Sequence, residues 1–405
     1  NIVKLSLVSS GPGDLSQMTC AALQAVSHAD CLMGASRLLE NFPEHRALQV
    51  PLALPEQIIE YLHTHPEFQT PCVLLSGDAG FYSGAKKLVE HFGAEQTEVY
   101  PGISSVSCFS ARLGIPWQDW HLVSAHGTAC EIAAHVANFE KTFALTGGAQ
   151  TPDSLCRELD AAGFGECAAY VGQNLSSPQE AVFQGTVREL GKMRFAPLSV
   201  LLVMNPRACE RKTASFGLPD GEFLRGDVPM TKSEVRSVVL SKLRLRETDT
   251  LWDIGAGTGS VSVEMALFAR FGKVCAVECS DEGCSLIRQN AQRFGLYNLR
   301  LIQGMAPQAC EGLPAPDAAF IGGSKGKLGE ILSLLRQKNP AVRVCISAIT
   351  LETACDSLKL LAEFGFEGIE AVQVSISKTK RAGRSNLLMA NNPVFVISAA
   401  GRNDG

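Results

Sequence analysis

The 405-residue sequence predicts an α/β protein of two domains, and three observations predict it. Short apolar runs alternate with helical patterns along nearly the whole chain. A glycine turn follows a strand-like run at two places about 240 residues apart, SSGPGD at 9–14 and DIGAGTG at 253–259. Between them, PRACERKTASFGLPDGEFLRGD at 206–227 is rich in charge, Gly and Pro and carries little periodicity. The expected organisation is therefore a domain over 1–205, a linker over 206–227 and a domain over 228–405.

The first domain opens with the strand VKLSLV and a helix expected from Leu15 to Ala29. CVLLS at 72–76, a helix after Tyr82, and QTEVY at 96–100 continue the alternation, followed by WHLVSAH, TFALTG, CAAYVG and LSVLLVM. In the second domain a helix from Lys232 to Leu243 leads into DTLWDIG. Helix 260–270, strand KVCAVE, helix 281–293, strands LRLIQG and DAAFIGG, helix 326–336, strand VRVCISA and helix 351–363 follow. The last two strand-like runs, GIEAVQVSIS and NPVFVISA, have no helix between them. They predict an antiparallel pair on an otherwise parallel, Rossmann-like sheet, where a plain dinucleotide fold would add another βα unit.

Composition excludes several classes. No run carries the ~18 apolar residues of a membrane helix. The apolar start after Asn1 shows neither secretion signal nor transit peptide, which makes cytoplasm the expected location. A net charge of -5 argues against nucleic-acid binding. The fourteen cysteines include no C-x-x-C pair and read as reduced core thiols, and no metal site is expected, the nearest cluster being Cys275, Cys279 and Cys284. All eight histidines fall between His28 and His135, so the second domain has none for acid, base or metal work. Basic residues gather at Arg207, Arg211, Lys212, Arg225, Lys232 and Arg236, and again at Lys378, Lys380, Arg381 and Arg384. They are either solvated surface or contacts for a polyanionic small molecule.

The second glycine turn favours one cofactor. Gly255, Gly257 and Gly259 let the chain leave the strand sharply and approach a ligand at the next helix. A dinucleotide fingerprint would place its third glycine at 260, where the chain has Ser260; G-x-G-x-G is the spacing of S-adenosylmethionine (SAM) enzymes. Asp253 and Glu278 fit as one carboxylate near the cationic end of the ligand and one accepting from the ribose hydroxyls. Beside a pyrophosphate two acids would repel. The first turn, GPGD, is a poor phosphate cradle because Pro12 lacks an N–H and Asp14 adds negative charge.

GPGD, SGDAGFYSG, PGISS and YVGQNLSSPQE together resemble the tetrapyrrole methylase family, whose class III domain binds folded SAM between two α/β lobes. VPMTKSEVRSVVLSKLRLRETDTLWDIGAGTGSVSVE, LPAPDAAFIGGSKG and NPVFVIS resemble a class I methyltransferase. The two in one chain resemble the decarboxylating precorrin-6B C5,15-methyltransferase family of cobalamin biosynthesis. That resemblance implies methylation at carbon 5 by the first domain and at carbon 15 by the second, with loss of the carbon-12 acetate carboxylate to give precorrin-8X. It also implies two SAM per chain, a tetrapyrrole substrate and a homo-oligomer.

Carried over residue by residue, the resemblance places Pro12, Gly77, Asp78, Phe81, Ser104 and Ser105 at the first SAM site. Phe81 equally suits a core, and Ser104 and Ser105 equally suit a helix cap. At the second site it places Thr231, Gly255, Ala256, Gly257, Thr258, Gly259, Glu278, Met305 and Ala306. The family's Gly-Asp-Ala is here Gly304, Met305 and Ala306, so an acid for the adenine amino group is missing. Lys378, Lys380, Arg381 and Arg384 are the expected contacts for the carboxylates of the macrocycle. No general base is assigned. Alternatives are an RNA or protein methyltransferase fused to a methylase, an inactive corrinoid-binding carrier, and an NAD-linked oxidoreductase, which the Ser260 spacing disfavours.

Overall fold

The computed structural model describes residues 4–125, 130–210 and 215–402; Arg211 and Lys212 lie outside them. The chain divides into two compact units, 1–209 and 210–405.

The first unit contains two five-stranded sheets. One joins β1 (Leu5–Ser9), β2 (Cys31–Met33), β3 (Leu48–Val50), β4 (Pro71–Leu75) and β5 (Thr97–Tyr100) in the order β3-β2-β4-β1-β5, all parallel. The other joins β6 (His121–Ser124), β7 (Lys141–Leu145), β8 (Ala168–Gln173), β9 (Ala181–Thr186) and β10 (Ser199–Met204) in the order β6-β7-β10-β8-β9. Only β6 and β7 run parallel there. The near-continuous burial of β1 and β4 follows from helices covering both faces of a parallel sheet. The helix expected over 15–29 is broken in two. Asp14 accepts from the Ser16 N–H and caps a 3-10 turn, Leu15–Gln17, and Thr19 caps a separate helix, Cys20–Ser27, through the Ala22 N–H.

The second unit is a seven-stranded sheet of β11 (Thr250–Ile254), β12 (Lys273–Glu278), β13 (Leu299–Gln303), β14 (Ala318–Ile321), β15 (Arg343–Ala348), β16 (Glu367–Val374) and a last strand, Val394–Ala400. Between β16 and that last strand the chain makes a separate hairpin of β17 (Ser377–Ala382) and β18 (Ser385–Ala390), so the last strand is β19. The sheet order is β13-β12-β11-β14-β15-β19-β16, with β19 antiparallel to both neighbours. Helices Asp281–Arg293 and Leu351–Glu363 fall where their periodicity predicts. The core gathers Trp252, Phe320, Ile346 and Ile397 on the sheet against Val239, Met265, Ile331 and Leu335 from the helices.

Within the stretch expected as a linker, residues 216–224 pack onto the second unit. Phe223 is buried, and the Gly217 and Leu218 N–H groups donate to Glu264 at 2.7 and 3.1 Å. Glu264 also pairs with Arg236, whose side chain is fully buried. The Arg236 guanidinium donates to the carbonyls of Thr231 and Leu218 at 2.6 and 2.5 Å, and lies over the Phe223 ring. Arg236 is therefore a structural cation rather than a substrate contact. Every donor in this cluster has an acceptor, which is what makes a buried ion pair tolerable. Arg236→Met is expected to destabilise the second unit by about 3–5 kcal/mol because it strands the Glu264 carboxylate. Double substitution with Glu264→Gln should recover part of that loss in urea titrations, since the amide removes the stranded charge and its oxygen still accepts from the Gly217 and Leu218 N–H groups.

Candidate functional site

In the first unit, loops from the carboxyl ends of β1, β4 and β5 converge, the place where open α/β sheets hold ligands. Gly11 and Gly77 exchange backbone hydrogen bonds at 3.1 and 2.9 Å, Ser9 accepts from the Ala79 N–H at 2.8 Å, and Asp78 accepts from the Gly102 N–H at 3.2 Å. A Cβ on Gly102 would sit 2.5 Å from that of Ser9, so the third loop closes on the first only without a side chain there. The result is a cavity of about 510 Å³.

Pro12, Gly77, Asp78, Phe81 and Ser105 all line it. Ser104 does not: its hydroxyl accepts from the Ser107 N–H and caps helix Ser105–Leu113. Phe81 does both jobs open to it, facing the cavity and packing towards Phe143. The sequence reading missed the opposite wall, which comes from the second sheet through Thr146, Gly172 and Leu198–Val200, and it missed Arg37, the one cation lining the cavity among the described residues. Strand runs were visible in those stretches, and YVGQNLSSPQE, quoted for its resemblance, supplies part of the wall, but its residues were not assigned to the site.

In the second unit a cavity of about 310 Å³ opens at the carboxyl ends of β11, β12, β13 and β14. Gly255 and Gly257 have φ of +74° and +57°. A Cβ on Gly255 would meet the Gly323 backbone at 2.7 Å, and one on Gly257 the Pro229 carbonyl at 2.6 Å. These glycines therefore serve close backbone approach as well as the turn. Gly259, the third, starts helix Ser260–Phe268 and packs on Ile287.

Glu278 is held by three backbone donors, the N–H groups of Gly257 at 2.8 Å, Cys279 at 2.9 Å and Ser280 at 2.8 Å. Burial alone would push its carboxyl up, but the bonds from Ser280, Gly257 and Cys279 outweigh that and hold it below the usual range. The carboxylate is thus ionised and fixed, with lone pairs left for hydroxyl donors in the cavity.

Gly255, Gly257, Glu278, Met305 and Ala306 line this cavity, whereas Thr231, Ala256, Thr258 and Gly259 do not. Thr258 is wholly buried, and the Thr231 carbonyl accepts from Arg236. Asp253 corrects an expectation. Spacing puts it one residue before the strand ends, and alternation turns it into the protein, where it is completely buried and accepts from the Ser262 hydroxyl. Its other oxygen, Oδ1, has no partner. Of the four tail cations, Lys378 pairs with Glu234 at 2.8 Å, and Lys380, Arg381 and Arg384 stand exposed on the β17–β18 hairpin; none of the four lines the cavity. Residues the sequence reading did not single out complete the lining: Pro229 on one side, and Gly322 to Lys325 after β14 on the other.

The geometry suits SAM. A fixed acid at the end of β12 matches a ribose diol, glycine backbones at the end of β11 permit close approach, and among the described residues the lining offers a single cation, Lys325, where a pyrophosphate would need a cluster. Several thiols, among them Cys72, Cys156, Cys310 and Cys345, are pushed up to about 12 by burial, as inert core cysteines should be.

Burial also pushes Asp253 up to about 7, the Ser262 hydrogen bond opposing it only in part. A carboxyl with a raised folded pKa contributes stability that is full below its unfolded value near 4 and is lost as pH rises through about 7. Between pH 5 and 8, Asp253→Asn should therefore gain on the wild type by on the order of 2 kcal/mol in urea midpoints; a constant difference would mean that Asp253 stays charged throughout.

Comparison with known proteins gives each unit its own family profile. The profile of the tetrapyrrole (corrin/porphyrin) methylases matches residues 4–191, and that of the precorrin methyltransferase domain matches residues 222–400. A probable cobalt-precorrin-6B C(15)-methyltransferase (decarboxylating) from Pyrobaculum calidifontis is 40% identical over 189 residues, 46% of this chain and 96% of that one. The crystal structure of a precorrin-6y C5,15-methyltransferase from Geobacter metallireducens covers 46% of this chain and 97% of its own at 35% identity, with a TM-score of 0.44. The precorrin-6Y C(5,15)-methyltransferase [decarboxylating] of Sinorhizobium sp is 31% identical over 283 residues, 69% of this chain and 68% of the relative. An alignment of that length runs through both units, and with a methylase profile on one and a precorrin methyltransferase profile on the other, the chain belongs to the precorrin-6Y C5,15-methyltransferase family.

Proposed function

We propose that the chain binds two SAM molecules, one in each unit, and methylates precorrin-6B at carbon 5 through the first and at carbon 15 through the second. It is a decarboxylating, SAM-dependent C-methyltransferase of cobalamin biosynthesis. The observation that carries the two-site reading is the pair of separate cavities, each at the carboxyl ends of a parallel sheet. Assigning carbon 15 and the decarboxylation to the second unit draws support from the Pyrobaculum relative. It aligns over only 46% of this chain and is named for those two steps alone.

When bound, SAM supplies a methyl group on a sulfonium, already activated for transfer to an electron-rich ring carbon. The residues present have little acid-base work to do. Glu278 fixes the ribose, Gly255 and Gly257 admit the ligand against bare backbone, and Met305 and Ala306 form the wall where an adenine would lie. Placement of this kind can be worth ~7–11 kcal/mol of a barrier in well-aligned cases. Loss of carbon dioxide leaves an electron pair that the conjugated macrocycle can accept, so a unit without histidine is chemically sufficient. In the first unit Pro12, Gly77, Asp78, Phe81 and Ser105 take the corresponding role.

Titration of the purified chain with S-adenosylhomocysteine is expected to give two equivalents. Turnover with SAM and precorrin-6B should yield a product heavier by two methyls and lighter by one carbon dioxide. A single equivalent, with one methyl gained, would remove half of the assignment. Glu278→Ala should lower the affinity of the second site by about 10²-fold and abolish carbon-15 methylation while carbon 5 is still methylated. Equal loss at both carbons would contradict independent sites.

A further inference from the structure

The tail cations expected to meet the macrocycle do not reach the second cavity, which leaves open what does. Among the described residues only two charged side chains line that cavity, Glu278 and Lys325. Glu278 is committed to three backbone N–H groups. Lys325 makes no ion pair with any described carboxylate, and the Cys279 side chain first, with Glu278 after it, favours its charged form. β11 lies between β12 and β14 in the sheet. Lys325, after β14, and Cys279, after β12, therefore line the cavity from either side of the Gly255–Gly257 turn. The Lys325 backbone is left-handed, with φ of +47°, a conformation that costs a side-chain-bearing residue energy and that glycine would adopt freely.

A second observation lies on the next strand. β15 pairs parallel with β14, so the loop after it opens on the same edge. Ile349 in that loop and Leu351 at the start of the following helix are 77% and 66% exposed, two large aliphatic side chains left in solvent on the sheet edge that also carries Lys325. Large apolar groups exposed together on an edge that holds a ligand cavity mark a binding surface more often than isolated ones do.

We infer that Lys325 with Ile349 and Leu351 forms the acceptor platform of the second unit: the apolar face of the macrocycle rests on Ile349 and Leu351, and one of its carboxylates pairs with Lys325. The inference rests on the proposed function for the identity of the substrate. The cofactor and the acceptor must approach from different sides. Gly255, Glu278 and Met305 occupy the β11–β13 side, which leaves the β14–β15 side for the acceptor. A cation in the cavity lining does nothing for a sulfonium, whose charge it repels, and favours an anionic partner. The carboxylate that Lys325 takes is not the one lost. An ammonium on the departing carboxylate would hold back the electron pair that has to enter the ring, so Lys325 anchors a neighbouring acetate or propionate and acts as a specificity residue.

The test compares the full chain with Lys325→Met, Lys325→Arg and Ile349→Ser. Calorimetry gives the affinity for S-adenosylhomocysteine, mass spectrometry gives KM for carbon-15 methylation with carbon 5 as internal control, and fluorescence gives the affinity of the cofactor-saturated protein for uroporphyrin I, a polycarboxylated macrocycle. Lys325→Met is expected to raise both the KM and the porphyrin dissociation constant about tenfold, to change cofactor affinity less than about twofold, and to leave carbon 5 untouched. Lys325→Arg should recover most of the loss, and Ile349→Ser should weaken the macrocycle with no change in its salt dependence. If cofactor affinity falls as far as macrocycle affinity, Lys325 serves the methionine carboxylate and the inference is wrong. Unchanged porphyrin affinity in Lys325→Met also overturns it. If the wild type forms no carbon-15 product, the proposed function fails, while the porphyrin comparison still decides the lysine, since any site in the first unit contributes equally to both proteins.

Discussion

Backbone has to meet backbone with nothing between for the second cavity to exist. Gly255 faces Gly323 and Gly257 faces the Pro229 carbonyl at distances that a single Cβ would break. These two contacts fix how closely the ends of β11 and β14 and the segment before helix Ser233–Leu243 approach one another. The Gly257 N–H is also one of the three donors on Glu278. Ligand shape, acid orientation and acid ionisation therefore depend on the same missing side chains. The first unit meets the same constraint with other residues: Gly102 against Ser9 closes its third loop, and Asp78 ties that loop to the one before it.

The two cavities differ in what surrounds the shared geometry. The first draws walls from two separate sheets and places Phe81 and Leu198–Val200 towards the ligand. The second is built on a single sheet edge, with a fixed carboxylate on one side and a cation-bearing loop on the other.

Much of this could be read from residue order. Helices Asp281–Arg293 and Leu351–Glu363 announce themselves by periodicity and by Ser280 and Thr350 as caps, and β12 by its unbroken apolar run. The G-x-G-x-G turn and the acid one strand later locate the second cavity. Three of the features that escaped show why. The hairpin of β17 and β18 has every residue exposed, so no alternation exists to reveal it, and its lysines and arginines looked like a rim for the substrate. Asp253 was placed correctly on its strand, but spacing does not say whether a carboxylate looks into a cavity or into the core. Lys325 sat inside LPAPDAAFIGGSKG, a stretch quoted only for its resemblance to a class I methyltransferase, and its importance depends on β14 lying beside β11, a neighbour distant in sequence.

The segment from Phe216 to Leu224 gives the second unit a beginning earlier than its sheet. Glu264 draws two of its hydrogen bonds from Gly217 and Leu218, Arg236 spends one of its own on the Leu218 carbonyl, and Asn290 exchanges bonds with Leu224. A polypeptide started at Val228, where the sheet-forming pattern begins, would keep every strand and yet open a buried charge cluster to water. Anyone dissecting the two activities genetically should cut just after the first unit, on the far side of Phe216, so that the severed half retains its own clasp.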